Sequence, residues 1–257
     1  MPLLSLSTIN VITLVWMGIA VAVHVTMFLV TAPFGRHTST KWGPTIDNRV
    51  AWAIMEAPSF LIMASFLMFG SRSFSSFVWI LFALWIVHYG NRALVWPLRI
   101  RTKSKRMPLV IVANAVVFNV MNAGLNGYFL AELSDPGVYS GAWLASFQFL
   151  LGAMLFVAGF AVNLSSDNTL IALRKPGETN YAIPSGALFD RVASPNLFGE
   201  VIEWIGFAIM AWNLQALSFA VWTYANLVPR AKNHLDWYRR TFPDYPKNRK
   251  AIFPWIF

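Results

Sequence analysis

The chain has 257 residues, 57% of them hydrophobic and only 12% charged, with twelve Trp, twenty-one Phe and no Cys. Soluble globular chains carry about 25% charged residues, so this deficit marks an integral membrane protein. The missing Cys excludes a disulfide framework, a thiolate nucleophile and Cys-ligated metal sites. No nucleic-acid module accompanies the net charge of +9.

Apolar runs near 9–32, 51–70, 75–98, 108–130 and 142–164 each approach or exceed the roughly 20 residues that a bilayer core requires. No basic residue precedes the first run, which therefore reads as a retained span rather than a cleaved leader. The stretch 199–229 is too long for one untilted span, and Asn213-Leu214-Gln215 interrupts it. It is read as two helices, near 199–212 and 214–229, with one long tilted helix as the alternative. The expectation is an all-α integral membrane protein: one domain of seven transmembrane helices, with no internal repeat.

Charge orients this arrangement. With the N-terminus outside, Arg36, Lys41 and Arg49 fall on the cytoplasmic side. So do Arg99 to Arg106, Arg174, Lys175, Arg191 and the basic tail from Arg230. Outside loops hold Arg72, Glu132 and Asp135. That is the positive-inside pattern, and it places the C-terminus in the cytoplasm.

Between the fifth and sixth spans lies "LRKPGETNYAIPSGALFDRVASPNLFGEVIEW", residues 173–204. An irregular segment of this length is usually functional or disordered, and its aromatic and apolar residues argue against disorder. Ionisable residues also fall within the spans: Glu56, His88, Tyr89, Arg92, Glu200 and Glu203. Charges at membrane depth are costly and normally face protein or water. Helical spacing groups Tyr89, Arg92 and Trp96 on one face, and Asn163 and Asp167 with Arg174 on another if the fifth helix extends that far. Asn196, Glu200 and Trp204 form a third face, and Arg230, His234 and Tyr238 a fourth. Each residue taken alone also has a bland reading: Glu56 snorkelling, Tyr89 in an interfacial belt, Arg174 and Lys175 as topological charges, His234 as an ordinary tail residue.

Several stretches resemble the steroid 5α-reductase family of membrane-embedded, NADPH-dependent reductases. They are "FGRHT" (34–38), "MEAPSF" (55–60), "HYGNR" (88–92), "NLSSD" (163–167), "LRKPGETNYAIPSGALF" (173–189), "NLFGEVIEWIGFA" (196–208) and "DYPKNRKAIFPWIF" (244–257). The resemblance spans nearly the whole chain and is densest over 163–257. It implies reduction of the 4,5 double bond of a 3-oxo-4-ene steroid, with hydride delivered to C5 and negative charge developing on the C3 oxygen. It further implies that Glu56 and Tyr89 are the proton donors aimed at that oxygen. A tyrosine hydroxyl, with an unperturbed pKa of about 10, is a donor at neutral pH; an apolar pocket disfavours an ionised carboxylate. For NADPH the resemblance implies Asn163, Asp167, Arg174, Tyr181, Asn196, Glu200, His234 and Tyr238. Arg92 and Arg230 are placed near its phosphates, and Trp96 and Arg101 are also assigned to it.

The chain departs from that family at Met55, where vertebrate relatives carry Gln, and at Trp96, where relatives have Tyr. The loop 99–107 is longer by two residues. No metal, nucleic-acid or obligate protein partner is expected; the bilayer and a steroid or other lipophilic enone are. The membrane would be the endoplasmic reticulum in a eukaryote or the inner membrane in a bacterium. Alternatives are an S-adenosylmethionine-dependent membrane methyltransferase, a reductase of another enone or polyprenol lipid, and a lipid transporter.

Overall fold

The computed structural model describes residues 2–33, 35–70, 74–101, 105–174 and 180–257. Arg72, Lys103 and Lys175, counted above among the loop charges, lie outside the described residues, as does the stretch 175–179. Seven long helices run through the rest: α1 (Leu6–Leu29), α2 (Asn48–Phe69), α3 (Ser76–Arg99), α4 (Leu109–Leu133), α5 (Phe147–Ala172), α6 (Pro195–Ala211) and α7 (Leu214–Thr241). A short antiparallel pair, β1 (Thr45–Asp47) and β2 (Arg106–Pro108), ties the entry of α2 to the entry of α4.

Local chemistry sets the helix starts. The Asp47 side chain accepts from the N–H groups of Arg49 and Val50, and the Ser146 hydroxyl accepts from Phe149. Such caps satisfy amide donors that the first turn leaves without partners. Pro195 opens α6, where its missing N–H costs nothing. The break between α6 and α7 is sharp: Trp212 is left-handed at φ 48°, and the Asn213 side chain caps α7 through the Ala216 N–H at 2.8 Å.

Several helix bounds differ from the sequence expectation. Residues 141–145 form a 3₁₀ turn, so α5 starts at Phe147, but it continues past 164 to Ala172. Helix α6 starts at Pro195, and α7 runs through Pro229 to Thr241. Hydropathy falls at these ends although the backbone stays helical, because helix contacts there are polar rather than lipid-facing.

Five helices, α1 to α5, are long and apolar enough to cross a membrane. Helices α6 and α7 are instead largely buried and form the centre. Trp204 and Phe207 of α6 join Phe219 of α7 and Trp85 of α3 in one aromatic cluster; the Trp204 and Phe219 rings lie 4.1 Å apart. Helices α5 and α6 approach most closely. A Cβ on Gly152 would fall 2.6 Å from the Gly206 carbonyl, and one on Gly199 would fall 2.5 Å from the Asn163 nitrogen. Small residues at seven-residue spacing permit this backbone approach, a common solution where lipid supplies no hydrophobic drive.

Candidate active site

The close packing of α5 on α6 delivers polar side chains at one end of the pair. Asn163 donates to the Asn196 carbonyl at 3.0 Å, and Asn196 donates to Asp167 Oδ1 at 3.1 Å. The other Asp167 oxygen lies 3.4 Å from Arg92 Nη1. Arg92 is buried within a π-turn, Asn91–Val95, inside α3; such turns recur at functional sites. Its guanidinium lies over the rings of Trp52 and Trp96, 4.8 and 5.3 Å from their centroids. Glu200, one turn beyond Asn196, is close enough for its charge to act on Arg92, Asp167 and Arg230.

This group borders a cleft whose lining includes Trp96, Arg101, Asp167, Arg174, Tyr181, Asn196, Arg230, His234 and Tyr238. The structure thus gathers nine of the twelve residues assigned to the cofactor; Arg92, Asn163 and Glu200 stand directly behind them. Arg101 and Arg174 hold one another through backbone carbonyls, at 2.6 and 3.4 Å. Arg174 lies just past the end of α5 and shares the face of Asn163 and Asp167 only approximately. Glu203, by contrast, leaves the cleft. It pairs with His88 at 2.7 Å, both fully buried, and links α3 to α6.

Arg36, Lys105 and Trp52, which the site assignment omitted, also line the cleft. Arg36 stacks over Tyr238, Trp237 and Tyr181 at 4.5, 4.9 and 5.3 Å. Lys105 donates to the Tyr181 hydroxyl. His37 stacks on His234, and Trp52 faces Trp96. The signal for Arg36 and His37 was present in "FGRHT"; Lys105 was hidden among basic loop residues that topology already explained.

Electrostatics show what the cleft would accept. Among the described residues, its lining carries Arg36, Arg101, Lys105, Arg174 and Arg230 against the single acid Asp167. Burial, reinforced by Arg174 and Arg36, lowers the Lys105 ammonium to about 8. Burial and the neighbouring arginines lower His37 to about 4, and burial with Arg36 and Arg230 takes His234 well below its usual value. Both imidazoles are therefore neutral at pH 7. Buried Arg36 Nη1, His37 Nε2 and Trp96 Nε1 have no hydrogen-bond partner among the described residues. Buried polar groups are normally satisfied, and with this excess of cations the cleft fits a ligand carrying several negative charges.

Glu56 and Tyr89 lie deeper, beside the aromatic cluster. Tyr89 is buried and stacked on Trp85 with centroids 5.3 Å apart. The Glu56 carboxyl is near enough to act on the Tyr89 hydroxyl and on Arg92. A carboxyl and a phenol thus come together next to Arg92, whose guanidinium stacks on the cleft residues Trp52 and Trp96.

The tail braces the loop that follows Tyr181. Arg249 donates to the Pro184 carbonyl at 2.7 Å and lies 3.6 Å from Asp190. Backbone bonds from Ala193 to Lys250 and from Lys250 to Arg191 fasten the loop carrying Tyr181 to the tail.

Comparison with known proteins identifies the family. A family model described as 3-oxo-5-alpha-steroid 4-dehydrogenase matches residues 105–257. Bovine (Bos taurus) 3-oxo-5-alpha-steroid 4-dehydrogenase 1 is 38% identical, with 93% of each chain covered. Steroid 5-alpha-reductase DET2 of Arabidopsis thaliana is 34% identical over 96% of this chain and 95% of its own. The Homo sapiens 3-oxo-5-alpha-steroid 4-dehydrogenase 1 is 38% identical over 87% of this chain and 86% of its own. Family match, identity and coverage together establish that the chain belongs to the 3-oxo-5-alpha-steroid 4-dehydrogenase family.

Proposed function

We propose that this protein is an oxidoreductase acting on CH–CH bonds that reduces the 4,5 double bond of 3-oxo-4-ene steroids with NADPH. The observation that carries this reading is a cleft whose described lining holds five cations and one acid, close to the buried Tyr89 and the partly buried Glu56. A dinucleotide with an extra phosphate meets that charge balance. S-adenosylmethionine, which bears a sulfonium, does not, and this disfavours the methyltransferase reading.

When bound, the cofactor supplies hydride to C5 of the steroid. The chain's residues do the rest. Arg36, Arg101, Lys105, Arg174 and Arg230 neutralise phosphate charge, where guanidinium groups pair bidentately. Tyr181, Trp96 and Tyr238 offer ring faces, and Asn163, Asp167, Asn196, Glu200 and His234 offer hydrogen-bonding groups. Tyr89 and neutral Glu56 donate to the C3 oxygen as enolate charge grows there. Donors aimed at charge that develops in the transition state lower the barrier. Protonation at C4 completes the reduction.

The test is single-turnover cofactor oxidation by the purified protein with a panel of 3-oxo-4-ene steroids, read by product mass and C5 stereochemistry. Removing one oxyanion donor costs on the order of 10²–10³ in rate, and Tyr89→Phe is expected to show that loss with cofactor affinity preserved. A near-wild-type rate for Tyr89→Phe would remove this tyrosine from the mechanism.

The same proposal places the chain as one multi-pass domain of seven spans with its C-terminus in the cytoplasm. The basic tail and the acidic loop at Glu132 and Asp135 support that orientation. A reporter after Phe257 is expected on the cytoplasmic side and one near Ser134 on the opposite side; reporters on one side together would refute it.

A further inference from the structure

Helix α4 contributes a residue to the Glu56 pocket that the proposed chemistry has not used. Asn119 is buried, and its Nδ2 lies 2.7 Å from the Met55 carbonyl oxygen and 3.5 Å from Glu56 Oε2. A backbone carbonyl can only accept a hydrogen bond. The Met55 contact therefore fixes which end of the amide is the NH₂ group, and that same group faces Glu56. Oε2 is thus addressed by a pure donor. A neutral carboxyl has one O–H and one carbonyl oxygen, so a donor on Oε2 assigns the acid proton to Oε1. Asn119 Oδ1 is buried with no hydrogen-bond partner among the described residues. No second contact there competes with the orientation that Met55 and Glu56 impose.

We propose that Asn119 is a positioning residue for the reduction: it sets the acid proton of Glu56 on Oε1 and presents that oxygen to the substrate carbonyl. This rests on the role of Glu56 proposed above. The 3.5 Å contact is long, as catalytic hydrogen bonds often are before a site closes on its ligands. The amide also gives Glu56→Gln a definite behaviour. A glutamine side chain there would turn its oxygen to Asn119 and its NH₂ to the substrate, so it would still donate a hydrogen bond.

The experiment combines Asn119→Leu with Glu56→Gln and with Glu56→Ala in purified full-length protein, using NADPH and a 3-oxo-4-ene steroid. Loss of one hydrogen bond predicts that Asn119→Leu lowers kcat about tenfold. The enone KM and cofactor Kd are expected to stay within about twofold, the signature of an interaction felt in the transition state. Asn119→Leu is also expected to abolish the residual activity of Glu56→Gln yet cost nothing further in Glu56→Ala. An equal loss in the wild-type and Glu56→Ala backgrounds overturns the proposal, because the amide would then act independently of the carboxyl. Should Asn119→Leu not fold, Asn119→Ala carries the same comparison. A wild-type rate for Glu56→Ala would instead overturn the role of Glu56 itself, a separate and recognisable failure.

Discussion

Helices α5 and α6 are held together in two ways along one seam. At one end, Gly152 meets Gly206 and Gly159 meets Gly199, with backbone against backbone and no side chain between. A turn further on, the seam becomes polar, with Asn163 bonded to Asn196 and Asn196 to Asp167. The two halves are causally linked. Asn163 reaches the Asn196 carbonyl only because Gly199 lets the helices approach so closely. Packing in the apolar half therefore positions chemistry in the polar half, and each half can be perturbed separately.

The polar half should show the larger effect on binding. Arg174→Ala and Asn196→Ala are expected to weaken affinity for the proposed cofactor while leaving an extractable, folded protein. Truncating one partner of a buried charged hydrogen bond costs about 2–5 kcal/mol. Titration showing wild-type affinity in both variants would take the segment 173–204 out of the cofactor site.

The glycine half should show its effect on stability. A Cβ on Gly159 would press on the Glu203 nitrogen and the Gly199 carbonyl, whereas one on Gly18 of α1 meets nothing within 4 Å. Overpacking a tight contact costs about 1–3 kcal/mol, while alanine in an open helix position gains roughly 0.5–1 kcal/mol over glycine. Gly159→Ala is accordingly expected to lower the thermal midpoint of the extracted protein, and Gly18→Ala to leave it level or raise it. The seam argument adds that Gly159→Ala also weakens cofactor binding. Equal midpoints for the two variants would mean that the close approach is dispensable.

The same contrast explains how much was legible beforehand. Apolar runs revealed α1 to α5, because lipid-facing helices must be continuously hydrophobic. Asn213 marked the α6–α7 break through ordinary capping chemistry. The far ends of α5 and α7 were not visible to hydropathy, since Ser165 to Asn168 and Lys232 to Arg240 are polar yet helical. In the site, i,i+4 spacing exposed Asn163 with Asp167 and Asn196 with Glu200. Arg36 and Lys105 escaped because a basic loop residue has a sufficient explanation in topology. Asn119 escaped because nothing local connects α4 with Glu56; only packing brings them together.

Lys105 supplies the smallest and most particular effect. Burial together with Arg174 and Arg36 lowers it to about 8, so in the free protein its charge is lost as pH rises through that value. A bound polyanion favours the ammonium and raises its pKa above the free value. The association constant should then be insensitive to this group below about pH 8 and fall above it, by at most about tenfold per pH unit, until the bound pKa is passed. Arg230, lowered by burial to about 10, titrates higher, so the onset of the fall just above pH 8 belongs to Lys105. His37 is already neutral, with its pKa near 4, and a phosphate monoester completes its second ionisation at about pH 6. Stability moves the opposite way. The unfolded chain binds the Lys105 proton up to its ordinary pKa of about 10.4, so between that value and 8 the unfolded state holds more protons and folding strengthens with pH. A fall in affinity above pH 8 therefore cannot be ascribed to unfolding through this group. Lys105→Arg keeps the charge at every accessible pH and is expected to flatten the profile. If wild type and Lys105→Arg bind with the same pH dependence, Lys105 does not contact the anion, and the positive lining of the cleft narrows to its arginines.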